Sequence, residues 1–350
     1  MTINAQAQKV IADLNKKMGG EVIVVGSSID QVGKRFTTGS VTWDYALGGG
    51  LPANQWNEII GDSSHGKSAL ALKMIAANQA KDKNFTAVWL AAESWVPQYA
   101  EMLGVDQSRV IVIETTSMEE GFEAVIKFAE SKAVDCIVVD SLPHLLPDPE
   151  AEKGMDEVSV GRSALLTNKF FRKVGAGMRR SLVEAERPVV GIMINQWRFK
   201  IGVTHGDPRT TPGGAGKDYA YFTRTEVRRD EWIEVGPSGN KVRVGQRLRM
   251  RTIKNKSFPP HRVAYVDFYF ANGGECDAGE YDYAKEIVAM AVVKEIITRK
   301  SAWFYYKDDK WQGTEKIVAE IRGNLTLRDE LSDLIANTID DPRGVVYADE

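Results

Sequence analysis

Residues 61–68 read Gly-Asp-Ser-Ser-His-Gly-Lys-Ser: a glycine, four variable residues, Gly-Lys, then a hydroxyl residue. No other segment constrains the fold as strongly, because its flanks agree with it. The apolar run Asn57-Glu58-Ile59-Ile60 enters as a short strand, and Ser68 to Ala80 leaves as a helix rich in Ala, Leu and Met. Strand, glycine loop and helix together aim backbone N–H groups and a helix N-terminus at one point, where phosphate oxygens bind. Gly61, Asp62, Ser63, Ser64, His65, Gly66, Lys67 and Ser68 are therefore candidate nucleotide-binding residues. In such a loop the lysine reaches the β- and γ-phosphates of a nucleotide such as ATP, and the hydroxyl, here Ser68, holds Mg²⁺. The alternative is a chance glycine turn.

Composition narrows the setting. A chain of 350 residues suits one large domain with one or two small ones. No apolar run reaches the length of a membrane span, and the first residues lack a secretory apolar region. Two cysteines, Cys136 and Cys276, make no disulfide framework, so a reducing cytoplasm is expected. The four histidines are scattered without metal-ligand spacing. A net charge of −3 argues against bulk polyanion binding, so any nucleic-acid site must be a local basic stripe.

Residues 3–18 read as an amphipathic helix stopped by Gly19-Gly20, and Glu21 to Val25 as a strand. These two elements cannot bury enough apolar surface alone and must dock on the main domain or on another chain. From about 36 to 270 strands and helices alternate. Strands are expected at 57–60, 86–91, 110–113, 135–139 and 189–194, and helices at 67–80, 97–103, 118–131 and 160–185. Continuous apolar strands such as Cys136 to Val139 are those covered on both faces, which makes this an α/β domain with a mainly parallel central sheet. Residues 223–229, 247–254 and 263–269 alternate as an antiparallel extension does, with a turn at Gly236 to Asn240. A small C-terminal α+β domain follows: helix 282–298, strand Ala302 to Tyr306, turn Lys307 to Lys310, and helices near 313–322 and 327–338. The divisions expected are an arm at 1–35, a core at 36–272, the small domain at 273–339 and an acidic tail at 340–350.

Several residues fall on the carboxyl edge of the expected sheet, where ligands of such folds bind. Asp140 ends the strand Ile137-Val138-Val139; beside a phosphate loop it is placed to hold Mg²⁺, or else it caps a turn. Glu93 follows strand 87–91 and either orients and deprotonates a water or is a solvated loop glutamate. Tyr99 either stacks on a nucleobase or packs in the core. Asn195-Gln196 ends another strand and opens a glycine-rich loop from Trp197 to Asp218, a length that is usually functional or disordered. Residues 197–229 hold seven basic residues against three acidic ones, a composition suited to phosphates of a nucleic acid strand or simply to a solvated loop. Arg162, Lys169, Arg172, Lys173, Arg179 and Arg180 line the helix after a second glycine-containing segment at 150–159. Lys254 and Lys256 share one strand face, which alone is most simply a solvated edge.

In this order the residues resemble the RecA family of DNA strand-exchange proteins over nearly the whole chain. The resemblance rests on Thr38-Gly39-Ser40 and Asp44 to Pro52 ahead of the loop, Ala92-Glu93 with Tyr99-Ala100 and Leu103 to Asp106, and Ala133 to Ser141. It continues in Asn195-Gln196, Arg198, Lys200 to Val203, Thr210-Thr211 and Gly213-Gly214, then in Lys254-Asn255-Lys256 and Ala302 to Lys307. The second-loop and lysine motifs are far more specific than the phosphate loop, which many NTPases share.

The resemblance implies an ATP- and Mg²⁺-dependent recombinase that forms helical filaments of its own copies on single-stranded DNA and exchanges strands with a homologous duplex. Glu93 becomes the catalytic base and Tyr99 the adenine-stacking residue. Gln196 senses the γ-phosphate, and Lys254 and Lys256 supply charge to a neighbouring subunit's ATP. Loop 154–160, including Val160, with Gly161, Asn168, Arg172, Arg198, Thr210, Gly213 and Gly214, holds DNA, and the N-terminal helix and strand become the polymerisation arm. The sequence departs from the family at Val96, where an aspartate is usual, at His205, where an aromatic is usual, and at Asp62, where a proline is usual; one residue is missing between Glu93 and Tyr99. Two other readings remain: a ring-forming ATPase of the same core fold, and a nucleotide-gated DNA scaffold with weak or no hydrolysis.

Overall fold

A computed structural model describes residues 3–19, 23–26, 34–151, 161–178, 187–199, 202 and 206–338. Eight strands form one sheet: β1 (Trp56–Gly61), β2 (Ala87–Ala91), β3 (Val110–Glu114), β4 (Cys136–Asp140), β5 (Val190–Asn195), β6 (Thr223–Val235), β7 (Val242–Asn255) and β8 (Val263–Tyr269). Their spatial order is β8-β7-β6-β1-β5-β4-β2-β3. From β6 to β3 all pairings are parallel; β7 and β8 add on antiparallel.

The apolar runs are continuous because alternate residues serve different cores. Trp89, Ala91, Val138, Ile192 and Ile194 face Leu70, Met74 and Ile75 of the helix Lys67–Lys81. Val88, Leu90, Ile137, Val139 and Met193 face Phe122 and Val125 of the helix Met118–Ser131 and Phe170 and Val174 of the helix Arg162–Met178. A strand sandwiched this way needs apolar side chains at every position. The edge strand β3 is covered on less of its surface, and Ile111 and Val112 are exposed.

A separate core joins Ile287, Ala291, Phe304, Ile317, Ile321, Leu331 and Ile335 of the C-terminal elements. Here the expected helix 282–298 is cut short. It runs Tyr283–Val293, Glu295 adopts a left-handed φ of 57°, and Thr298–Lys300 becomes a strand paired with Trp303–Tyr306. No glycine marks this break. The expected turn at 307–310 is narrower, since Asp309–Gln312 pairs back onto Trp303–Tyr306. The hairpin β6–β7 is longer than expected, reaching Val235 and Val242 on either side of its turn.

The helix Ala5–Met18 ends at Gly19 (φ 71°), as its sequence suggests, and Asn4 caps its start, accepting from the Ala7 N–H at 2.8 Å. It buries none of its residues. Of the strand expected at 21–25, residues 21 and 22 lie outside the described residues, and 23–25 form no strand. Instead the Asn15 amide brackets the Ile23 backbone, donating to its carbonyl at 2.7 Å and accepting from its N–H at 2.8 Å. The acidic tail 340–350 lies outside the described residues.

Candidate nucleotide and DNA site

The phosphate loop begins where β1 meets β6. A Cβ on Gly61 would come within 2.4 Å of the Val227 carbonyl oxygen, so only glycine fits between the strands. Ser64 and Gly66 take left-handed backbone (φ 61° and 77°), which turns the chain into the helix that starts at Lys67. Lys67 Nζ donates to the Asp62 carbonyl at 2.7 Å, folding the ammonium over the loop. Burial lowers its pKa, opposed by Asp140, Glu93 and Asp62.

β4 delivers Asp140 beside this loop. Burial raises its carboxyl to about 6 against a hydrogen bond from the Ser68 hydroxyl that lowers it, and nearby Glu93 adds to the rise. A carboxylate held out of water, with a hydroxyl oxygen at its side, has the hard-oxygen chemistry that Mg²⁺ takes. Among the described residues no group of three or more His, Cys, Asp or Glu forms a metal cage. The Asp140-Ser141 peptide is cis.

Glu93 follows β2, and the Ala92 and Glu93 N–H groups both donate to the Asp140 carbonyl, at 2.9 and 3.3 Å. Its Oε1 accepts from Ser141 Oγ at 3.1 Å and lies 3.0 Å from His144 Nδ1. Tyr99, on the helix Pro97–Met102, stands on the wall of the cleft rather than in the core, and burial raises its pKa. Gln196 follows β5, with its N–H on Asn195 Oδ1 at 2.9 Å.

Ser63, Ser64, Gly66, Lys67, Ser68, Glu93, Tyr99, Asp140 and Gln196 line one cleft of about 380 Å³. The cleft also takes in Ser141, Ile194, Gln246, Phe268 and Phe270, which the sequence reading missed. Gln246 had a visible signal. It interrupts the inward row Val244, Leu248 and Met250 of β7, and its amide lies 3.4 Å from where a Cβ on Gly66 would sit. His144 had none.

The second loop is pinned at its base. Arg198 pairs with Thr210 and Phe199 with Arg209 in a two-residue antiparallel ladder. Lys200, Ile201, Val203 and His205 lie outside the described residues, as do loop 152–160 with Val160, and Arg179 and Arg180. Gly213 and Gly214 are left-handed (φ 91° and 76°) and pack against Leu142, Thr167 and Ala164 of the neighbouring segments. Asn168 lies against Gly216, where a Cβ would meet its Oδ1 at 2.2 Å. Gly161, Arg172 and Arg198 are exposed.

Four of the seven basic residues of 197–229 are held by partners within the protein, while Arg198 is exposed. Lys217 is buried, donating to Thr211 Oγ1 at 2.5 Å and Asp218 Oδ1 at 2.6 Å. Arg224 pairs with buried Glu58 at 2.6 Å, and Arg209 pairs with Asp207 and Glu226. Arg228 pairs with Glu226 at 2.9 Å. Buried carboxylates demand such partners. Lys254 and Lys256 are not part of the cleft lining; they reach the backbone of the helix Gly216–Ala220 at the end of the loop.

Comparison with known proteins follows the same outline. The family described as the RecA N-terminal domain matches residues 5–275. The protein named Protein RecA from Staphylococcus aureus strain JH9 is 34% identical over 326 residues, spanning 92% of this chain and 88% of the relative. Its counterparts in strains Newman and N315 match to the same extent. No helix among the described residues is long and apolar enough to cross a membrane.

Proposed function

This chain belongs to the RecA family, and from that premise we propose which of its residues perform the family's chemistry. It is an ATP-dependent, Mg²⁺-requiring recombinase that assembles as helical filaments on single-stranded DNA and pairs and exchanges strands with homologous duplex. It hydrolyses ATP to ADP and phosphate in a DNA-dependent manner.

In the reading proposed, the loop 61–68 cradles the phosphates, Lys67 neutralises the β- and γ-oxygens, and Tyr99 takes the base. Bound Mg²⁺ supplies charge neutralisation of the transferred phosphoryl group, with Ser68 and Asp140 as the residues that hold it. Glu93 receives the proton of the attacking water, and Gln196 reports the γ-phosphate to the loop that follows it from Trp197. Gly161, Asn168, Arg172, Arg198, Thr210, Gly213 and Gly214 form the DNA side, with Val160 beyond the described residues. Lys254 and Lys256 act on the nucleotide of the adjoining protomer. Residues 1–35 serve as the polymerisation arm, 36–272 as the ATPase core, 273–339 as the small domain and 340–350 as the tail. A cytoplasmic location accords with the two free cysteines.

The observation that carries this reading is the cleft itself, where Lys67, Ser68, Glu93, Asp140 and Gln196 converge from the phosphate loop and three parallel strands. The test is ATP hydrolysis with and without single-stranded DNA at low and moderate salt, for wild type and Glu93→Gln. The wild type is expected to show strong stimulation that weakens as salt rises. Glu93→Gln is expected to bind ATP and DNA while losing roughly 10²–10⁴-fold in turnover. Normal turnover in Glu93→Gln would sink the catalytic assignment, and indifference to DNA would sink the loop assignments.

A further inference from the structure

Behind Glu93 stands a group that neither the phosphate loop nor the DNA loops account for. β4 ends at Asp140, and Leu142–His144 makes a single tight turn, with the His144 N–H on the Ser141 carbonyl at 3.1 Å. Leu142 and Leu145 on either side are buried in the core that also holds Phe122 and Phe170. The turn is thus anchored from both ends, and His144 is turned out towards Glu93, while its ring is not among the residues lining the cleft.

Three contacts close a triangle. His144 Nδ1 lies 3.0 Å from Glu93 Oε1 and 2.8 Å from Ser141 Oγ, and Ser141 Oγ donates to the same Glu93 Oε1 at 3.1 Å. Ser141 Oγ gives its one proton to Glu93 Oε1 and therefore accepts from His144, which assigns the ring proton to Nδ1. The serine hydroxyl occupies Oε1 and the His144 ring backs that hydroxyl, which leaves Oε2 as the oxygen available to the water. A half-exposed glutamate has three rotatable bonds, and an unheld carboxylate samples many orientations. A base must sit within hydrogen-bond reach of the proton it takes.

We propose that His144 is a positioning residue for ATP hydrolysis: with Ser141 it clamps Oε1 of Glu93, so that Oε2 is presented to the attacking water in one orientation. This rests on the reading of Glu93 as the base. The clamp belongs to the turn after β4, and the phosphates are bound elsewhere, by residues 61–68. Its loss therefore acts on the chemical step and not on nucleotide or DNA affinity.

The experiment compares wild type, His144→Phe and His144→Asn in DNA-stimulated ATP hydrolysis, with nucleotide and single-stranded DNA affinities measured on the same preparations. His144→Phe keeps the ring volume and removes the donor; the Asn amide restores an N–H close to the position of Nδ1. The expected result is a kcat about tenfold lower for His144→Phe with KM for ATP and DNA affinity within twofold of wild type, and recovery of most of the loss in His144→Asn. A kcat unchanged or raised in His144→Phe, a change confined to KM, or an Asn variant as slow as the Phe variant would overturn the proposal. A normal Glu93→Gln enzyme overturns the base assignment itself; an inactive Glu93→Gln beside a normal His144→Phe overturns only the clamp.

Discussion

Lys254 Nζ donates to the backbone carbonyl of Asp218 at 2.5 Å, tying the end of β7 to the short helix that closes the second loop. Lys256 makes a parallel contact to the Tyr219 carbonyl at 3.0 Å. The lysine pair and the loop are therefore one mechanical unit within the protomer. In the reading proposed above, a DNA strand that moved the loop would move the lysine charges with it, a physical route from DNA to hydrolysis.

That position also sets a pH dependence. Burial, then Lys256 and Arg224, lower Lys254 from an ordinary 10.5 to about 8, opposed by Asp218 and Glu58. The ammonium is therefore charged below about pH 8 and is lost above it. DNA-stimulated hydrolysis is expected to fall on the alkaline side of pH 8. Lys254→Arg, which stays charged, should carry that limb upward by a unit or more. Rate profiles from pH 6.5 to 9.5 that superimpose for the two proteins would refute the assignment.

The helix Ala5–Met18 buries none of its residues and leaves Val10 and Met18 exposed. None of the three hydrophobic cores draws on it. Deleting residues 1–33 should leave the thermal unfolding midpoint within about 3 °C of wild type and abolish filaments in electron micrographs. Filaments of normal length, or a molten remainder, would contradict this.

Gly213 holds a left-handed φ of 91°, and a Cβ there would meet Leu142 Cδ2 at 2.8 Å and Lys217 Cδ at 3.0 Å. Gly213→Ala carries both backbone strain and a clash, a cost of about 1–3 kcal/mol that the loop must absorb. Single-stranded DNA affinity is expected to drop on the order of tenfold, with nucleotide affinity in the absence of DNA unchanged. Equal DNA affinity by fluorescence anisotropy would show that the loop does not depend on this turn.

Glu286, on the helix Tyr283–Val293, is buried and accepts at Oε1 from Thr42 Oγ1 at 2.7 Å and from Ser40 Oγ, joining the small domain to the core. Burial pushes its carboxyl up to about 7, against 4.5 for a free glutamate, despite those two hydroxyls. Between these values the folded chain holds a proton that the unfolded chain has released. Its contribution to stability is full below 4.5 and is lost as pH rises to about 7. Relative to wild type, Glu286→Gln should therefore gain roughly 2–3 kcal/mol between pH 4.5 and pH 8. Urea unfolding at the two pH values with the same difference between variants would show that Glu286 titrates normally.

Legibility followed how far apart the cooperating residues lie. The phosphate loop, the capped first helix and the continuous apolar strands were readable because each depends on neighbours within a few positions. The break at Glu295 was not, since Ala289 to Ile297 keeps helical periodicity and only packing of Ile297 into the small core turns the chain. The internal partners of the basic residues in 197–229 were hidden for a related reason. Counting charge cannot see that Glu58, far back in β1, consumes Arg224.

The sequence by itself determined a nucleotide-binding α/β core with its loop, its carboxylate at the end of β4 and its sheet-edge glutamate. Each is written as a local pattern whose backbone geometry admits few alternatives. Only the tertiary structure decided that Glu93, Ser141 and His144 meet at one oxygen, that Gln246 joins the cleft wall, and that Lys217 is buried rather than offered to DNA. Those outcomes depend on which strands become neighbours. Sheet order brings together residues tens to more than a hundred positions apart, and no local spacing encodes it.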